Sequence, residues 1–123
     1  MPITVSAKAE AAVLTVEDPY TFDEWVAAAT RLLSLGPGLR LLVDRSRSTA
    51  PSREVVDRMV SFFERHADRM KQWRAAIVTS SDVGYGVARM LELSTEARNL
   101  EMQIRAFRDM HAAERWLMTG EGG

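Results

Sequence analysis

LRLLVD (Leu39–Asp44) and AAIV (Ala75–Val78) are short, almost unbroken apolar runs. Each is followed by a segment that gathers its apolar residues on one helical face. A strand with one wet face alternates polar and apolar residues. A run without that alternation is apolar on both faces and belongs inside a sheet that is covered above and below. Strands joined through helices pair in parallel by right-handed crossovers. These two runs therefore place the chain in the α/β class.

The other segments fit the same plan. Ile3–Ala7 and Ala12–Val16 read as two short strands, with KAEA (8–11) as their turn, hence antiparallel to each other. Met102, Ile104 and Ala106 alternate with Gln103 and Arg105, as in a strand nearer an edge. Helical patterns cover 21–35, Ser52–Met70, Asp82–Ala97 and Asp109–Leu117. The first begins with a capping box, Thr21 with Glu24, and Tyr20 and Trp25 stand at the staple positions. GPG (Gly36–Gly38) ends it. The order is β-β-α-β-α-β-α-β-α: a mixed, mostly parallel sheet of four to five strands with about four helices.

At 123 residues, one domain is expected over 1–118, with TGEGG (119–123) as a flexible tail. A chain of this size buries roughly two-thirds of its unfolded surface and needs no staples. There is no Cys, so disulfides and thiolate metal sites are excluded. Sixteen basic residues against 17 acidic ones give a net charge of −1, which disfavours nucleic acid as a partner. No apolar stretch approaches the roughly 18 residues of a membrane span. MPITVSAKAE has neither the basic start nor the long apolar run of a secretory signal. The expected location is cytoplasmic, with membrane contact at most peripheral.

The second helical pattern has an unusually wide apolar face. Val55, Val56, Met59, Val60, Phe62, Phe63, Ala67 and Met70 fall within an arc of about 160°, and His66 lies inside it. Two readings stay open. The helix packs on the sheet and under a neighbour, with His66 bonded to backbone. Alternatively Met59 and Phe63 line an adaptable pocket, in which His66 supplies a polar contact to an apolar ligand.

Ligands of open parallel sheets sit beyond the carboxyl ends of the strands. Two segments belong there. VDRSRSTAPS (43–52) reads as a loop offering Arg45, Arg47, Ser48, Thr49 and Ser52, with Ser52 capping the next helix. Such a loop attracts an anion or a partner, or is a solvated turn. It lacks the glycines of a phosphate loop. TSSDVGYG (79–86) caps the third helix through Ser80, Ser81 or Asp82 and places Gly84 and Gly86 in its first turn. Glycine is costly there unless the sheet or a ligand comes close to the backbone. Tyr85 is expected to point outward, beside Arg89, Glu92 and Glu96.

Nothing assembles into catalytic machinery. GxSxG and HExxH are absent, and His66 and His111 lie in different helices without ligand-like neighbours. No enzyme activity, metal or cofactor is expected.

AAIVTSSDVGYGVARMLE and MQIRAFRDMHAAERWL, with the element order, resemble the SpoIIAA-like branch of the STAS superfamily. These are small bacterial proteins related in fold to anti-sigma factor antagonists and similar in shape to CRAL-TRIO lipid-binding domains. The resemblance is best over Leu39–Leu117. It implies a STAS-like four- or five-stranded mixed sheet and no catalysis. In anti-sigma factor antagonists a Ser in an Asp-Ser-Ser-Gly motif is phosphorylated by a partner kinase. This chain carries Pro51-Ser52-Arg53-Glu54 there, and the missing Asp and Gly count against a switch at Ser52. Two functions follow. One is a non-catalytic binding module for an apolar or amphipathic small molecule or lipid, or for a membrane surface. The other is a protein-interaction module in a signalling pathway. A homodimer is compatible with both.

Overall fold

The computed structural model describes residues 2–8 and 10–120. Its elements are β1 (Ile3–Lys8), β2 (Ala11–Glu17), α1 (Phe22–Leu33), β3 (Arg40–Arg47), α2 (Arg53–Arg65), a 3-10 turn (Ala67–Met70), β4 (Arg74–Val78), α3 (Asp82–Ala97), β5 (Gln103–Phe107) and α4 (Met110–Thr119). The strands form one sheet in the order β1-β2-β3-β4-β5. The β1–β2 pair is antiparallel and the other three pairs are parallel. The expected element order and sheet type are those observed.

Each crossover steps one strand further in the same direction. Right-handed connections therefore put α1, α2 and α3 on one face. Their buried residues share a core with Leu14, Leu41, Ala75, Ile77 and Ile104. The chain returns across the other face as α4, whose Ala113, Trp116 and Leu117 pack on Leu42, Ala76, Val78 and Phe107. Strand alternation sends Leu41 and Leu42 to opposite cores, as it does Ala75 and Ala76. That is why these runs are apolar throughout.

The α1 capping box forms as expected. Glu24 N–H donates to Thr21 Oγ1 (3.1 Å) and Thr21 N–H donates to Glu24 Oε1 (2.8 Å). Trp25 stacks on Phe22, with centroids 5.4 Å apart, and meets Phe62 edge-on at 5.3 Å. These rings lock α1 onto α2, and each buried Phe contributes about 2–3 kcal/mol by leaving water.

Three features differ from the sequence reading. First, β3 continues to Arg47, so Arg45, Ser46 and Arg47 lie in a strand and not in a loop. The longer ladder reaches Glu17, whose carboxylate pairs with Arg47 at 3.2 Å. Second, α2 ends at Arg65 and not at Met70; His66 is its C-cap, with φ −113°. The tighter 3-10 turn then tucks Met70 and Trp73 into the core before β4. Third, α4 runs to Thr119 and is closed by Gly120 in the left-handed region, its N–H bonded to Trp116 O at 2.7 Å. Thr119 and Gly120, expected in the tail, thus belong to this helix and its cap, and 121–123 lie outside the described residues, as does Ala9 of the β1–β2 turn.

Candidate functional site

The α1–α3 core is not completely filled. A cavity of about 80 Å3 lies between this face of the sheet and the three helices. Its walls include Leu14, Trp25, Met59, Phe63, Ile77 and Leu91. One end is polar. There Arg45, near the carboxyl end of β3, and Ser48 and Thr79, the residues just after β3 and β4, line it. The ladder pairs Val43 with Ile77 and Asp44 with Val78. Arg45 and Thr79 are the next residues, so they stand side by side on the cavity face.

Arg45 is only 8 % exposed. Its Nη2 donates to Tyr20 Oη (2.9 Å) and to the Thr49 carbonyl (3.2 Å), and its guanidinium lies 5.4 Å from the Tyr20 ring centroid. Among the described residues no carboxylate forms an ion pair with it. Asp18 is near enough to feel its charge. The Asp18 carboxylate accepts the Thr49 N–H at 2.6 Å. That backbone bond, the Thr49 side chain and the Arg45 charge hold it below the usual carboxylate range. Thr79 is 5 % exposed. Thr79 Oγ1 and Ser48 Oγ are both buried without a hydrogen-bond partner. Such groups cost free energy unless something else satisfies them.

Outside this end lies an open groove of about 400 Å3, lined by Asp18, Pro19, Tyr20, Phe22, Thr49, Ala50, Pro51 and Val55. Pro51 borders both spaces. Arg45, which lines the cavity, bonds Tyr20 and Thr49, which line the groove.

The residues singled out from sequence are spread more widely than expected. Met59, Phe63, Gly84, Arg45 and Ser48 line the cavity. Thr49 lines the outer groove. His66 does not reach the cavity: as the C-cap of α2 it sets its ring 4.4 Å from that of Phe62. Arg47 turns outward to Glu17. Ser52 is spent on capping, accepting Val55 N–H at 3.2 Å. Ser81 caps α3, accepting Gly84 N–H at 2.9 Å, and Ser80 Oγ donates to Ser46 O at 2.8 Å. The two glycines separate. A Cβ on Gly84 would lie 3.2 Å from Thr79 Cβ, whereas one on Gly86 would meet nothing within 4 Å.

Tyr85 and Glu92 are corrections. Tyr85 is half-buried and packs on the core. Glu92 is 7 % exposed: its Oε1 accepts the Ala106 N–H of edge strand β5 at 3.0 Å, and Oε2 pairs with Arg89. The sequence reading missed Thr79 and Tyr20 as site residues. Carrying the alternation of Ala75 and Ile77 one step further would have found Thr79. Tyr20 meets Arg45 only through tertiary packing.

Among the described residues no group of His, Asp or Glu side chains is placed to hold a metal ion, and no helix is long and apolar enough to cross a membrane. No protein-family model matches the chain, and no curated protein matches it in sequence. A solved structure does match in shape. It is the crystal structure of an uncharacterised protein of the DUF3478 family from Shewanella loihica PV-4, described as having a SpoIIAA-like fold. The TM-score is 0.63 at 16% sequence identity, over 94% of this chain and 91% of that one. With its five-stranded mixed sheet, three helices on one face and a fourth on the other, the chain has the SpoIIAA-like fold.

Proposed function

We propose that the protein is a non-catalytic binding module that takes a small apolar or amphipathic molecule into the cavity between the sheet and α1–α3. The observation behind this reading is the cavity itself. It holds about 80 Å3 of free space in an otherwise packed core, behind aliphatic and aromatic walls and with one polar end. Ligand pockets have this character: apolar walls with a few placed polar groups. Natural interiors otherwise leave few voids larger than a water molecule.

Xenon, an uncharged probe small enough for the space, tests the reading. Methyl NMR under xenon pressure should show saturable shifts at Leu14, Met59, Ile77 and Leu91, and none at surface methyls such as Val83. Shifts that never saturate, or that spread over the surface, would remove the cavity as a site.

A second reading, an interaction module, is favoured by one surface feature. Val83, Met90 and Leu93 stand exposed along the outer side of α3, with Val83 70 % exposed. Gly86 is open between them. Their spacing is that of a seam between paired helices. A second copy of this chain fits, because two such helices laid antiparallel set Val83 of each against Leu93 of the other and Met90 against the open Gly86. Sedimentation should then show a dimer that Leu93→Glu converts to monomer. A wild-type monomer at high concentration removes this reading.

A further inference from the structure

The polar end of the cavity has a definite chemical character: a cation with unspent donors beside two free hydroxyls. Arg45 spends only Nη2 on protein acceptors; its Nε and Nη1 hydrogens have none among the described residues. Ser48 Oγ and Thr79 Oγ1, lining the same space, are buried and unpartnered. A buried cation is tolerated when it is paired, and its net cost is otherwise several kilocalories per mole. The Tyr20 hydroxyl, the Thr49 carbonyl and the Tyr20 ring supply only part of that pairing. What remains unspent there calls for a further acceptor, and an anionic one answers the charge.

We propose that the ligand is a small monocarboxylate whose head sits against Arg45, Ser48 and Thr79 and whose hydrocarbon part fills the cavity. The proposal rests on the binding reading above and specifies its ligand class. The planar fork of a guanidinium matches a carboxylate, and each free hydroxyl can donate one further bond to it. A single guanidinium balances a single charge. Asp18, close enough to sense Arg45, repels any anion there and a dianion such as a phosphate monoester more than a monocarboxylate. A cationic head is excluded by Arg45 itself. The volume limits the tail. If one water needs about 10–15 Å3 of such space, the cavity admits about five to eight non-hydrogen atoms, so an acid of about three to six carbons fits. The groove at Tyr20, Thr49 and Pro51 gives the approach from outside.

The test is calorimetric and NMR titration of hexanoate, hexanol and propyl phosphate, none with more than eight non-hydrogen atoms, into wild type, Arg45→Met and Thr79→Val. Circular dichroism establishes that each variant is folded. Hexanoate should bind wild type about 10- to 100-fold more tightly than hexanol, the range for hydrogen bonds to a charged group. Arg45→Met should bring that ratio close to one while hexanol binding persists. Should Arg45→Met not fold, Thr79→Val carries the test: it keeps the shape and should weaken hexanoate several-fold without weakening hexanol. Hexanoate binding no better than hexanol in wild type, or an unchanged ratio in the folded variants, overturns the carboxylate assignment but leaves the cavity reading standing. Tighter binding of propyl phosphate overturns it in favour of a phosphorylated ligand. If none of the three binds and xenon also fails to saturate, both readings fall together.

Discussion

The two glycines of α3 offer a matched experiment. At Gly86 a Cβ meets nothing within 4 Å and the backbone is ordinary right-handed helix, so Ala brings only its helix preference. Gly86→Ala should stabilise the fold by about 0.5–1 kcal/mol. At Gly84 the same preference meets an obstacle. The new carbon would lie 3.0 Å from Ser81 Oγ and 3.2 Å from Thr79 Cβ. The serine hydroxyl can turn away, but it then gives up the bond that caps α3. Thr79 Cβ is fixed to the backbone at the end of β4, so the helix must lift. Overpacking of this kind costs about 1–3 kcal/mol. The net effect of Gly84→Ala is thus a loss of about 0–2 kcal/mol, and the two variants should differ by about 1–3 kcal/mol. Urea unfolding with a shared m-value measures this directly. In thermal melts a difference of 1 kcal/mol is about 3–6 °C for a domain of this size. If Gly84→Ala gains as much stability as Gly86→Ala, the claim that α3 is pressed against Thr79 is wrong.

Further expectations follow from the same geometry. Ala75→Val adds two methyl groups at the cavity wall and should stabilise by about 1 kcal/mol while reducing xenon binding; destabilisation in urea would mean that the space is already filled. Glu92→Leu leaves the Ala106 N–H buried without its acceptor and should cost about 1–3 kcal/mol, with faster amide exchange at Ala106. Glu92→Gln keeps an oxygen there and should lose less. Asp18 has a folded pKa below its unfolded one, so its stabilisation is complete above the unfolded value and drains away as pH falls through the folded one. Below about pH 4, Asp18→Asn should flatten the dependence of unfolding free energy on pH, and an equally steep curve in the variant would assign the effect elsewhere.

The layered architecture was legible because LRLLVD and AAIV carry apolar residues at adjacent positions, hence on both faces, a pattern that a doubly covered strand requires. The start of α1 was legible because Thr21 and Glu24 carry their reason within four residues. What escaped depends on partners distant in sequence. DRSR has no apolar signal, and it becomes strand because Glu17 and β2 lie alongside it. No breaker residue marks the end of α2; the path to β4 ends it and carries His66 away from the cavity. Gly84 and Gly86 look alike in sequence, yet they stand about 200° apart around the helix, one facing Thr79 and the other open space. Arg45 was singled out for its charge, but its meaning changed with its setting. In a loop it would be one cation among several; on the inner side of β3 it is the charge at the end of an apolar space.

Glu92 also determines how the sheet ends. The Ala106 amide points away from β4, toward the place where a sixth strand would dock, and α3 reaches over with a carboxylate to occupy it. An incoming strand would have to evict that anion, which Arg89 also holds in place. The border at β5 is thereby locked from within. Fibril-like stacking is discouraged there by a single acid rather than by a bulge or a proline.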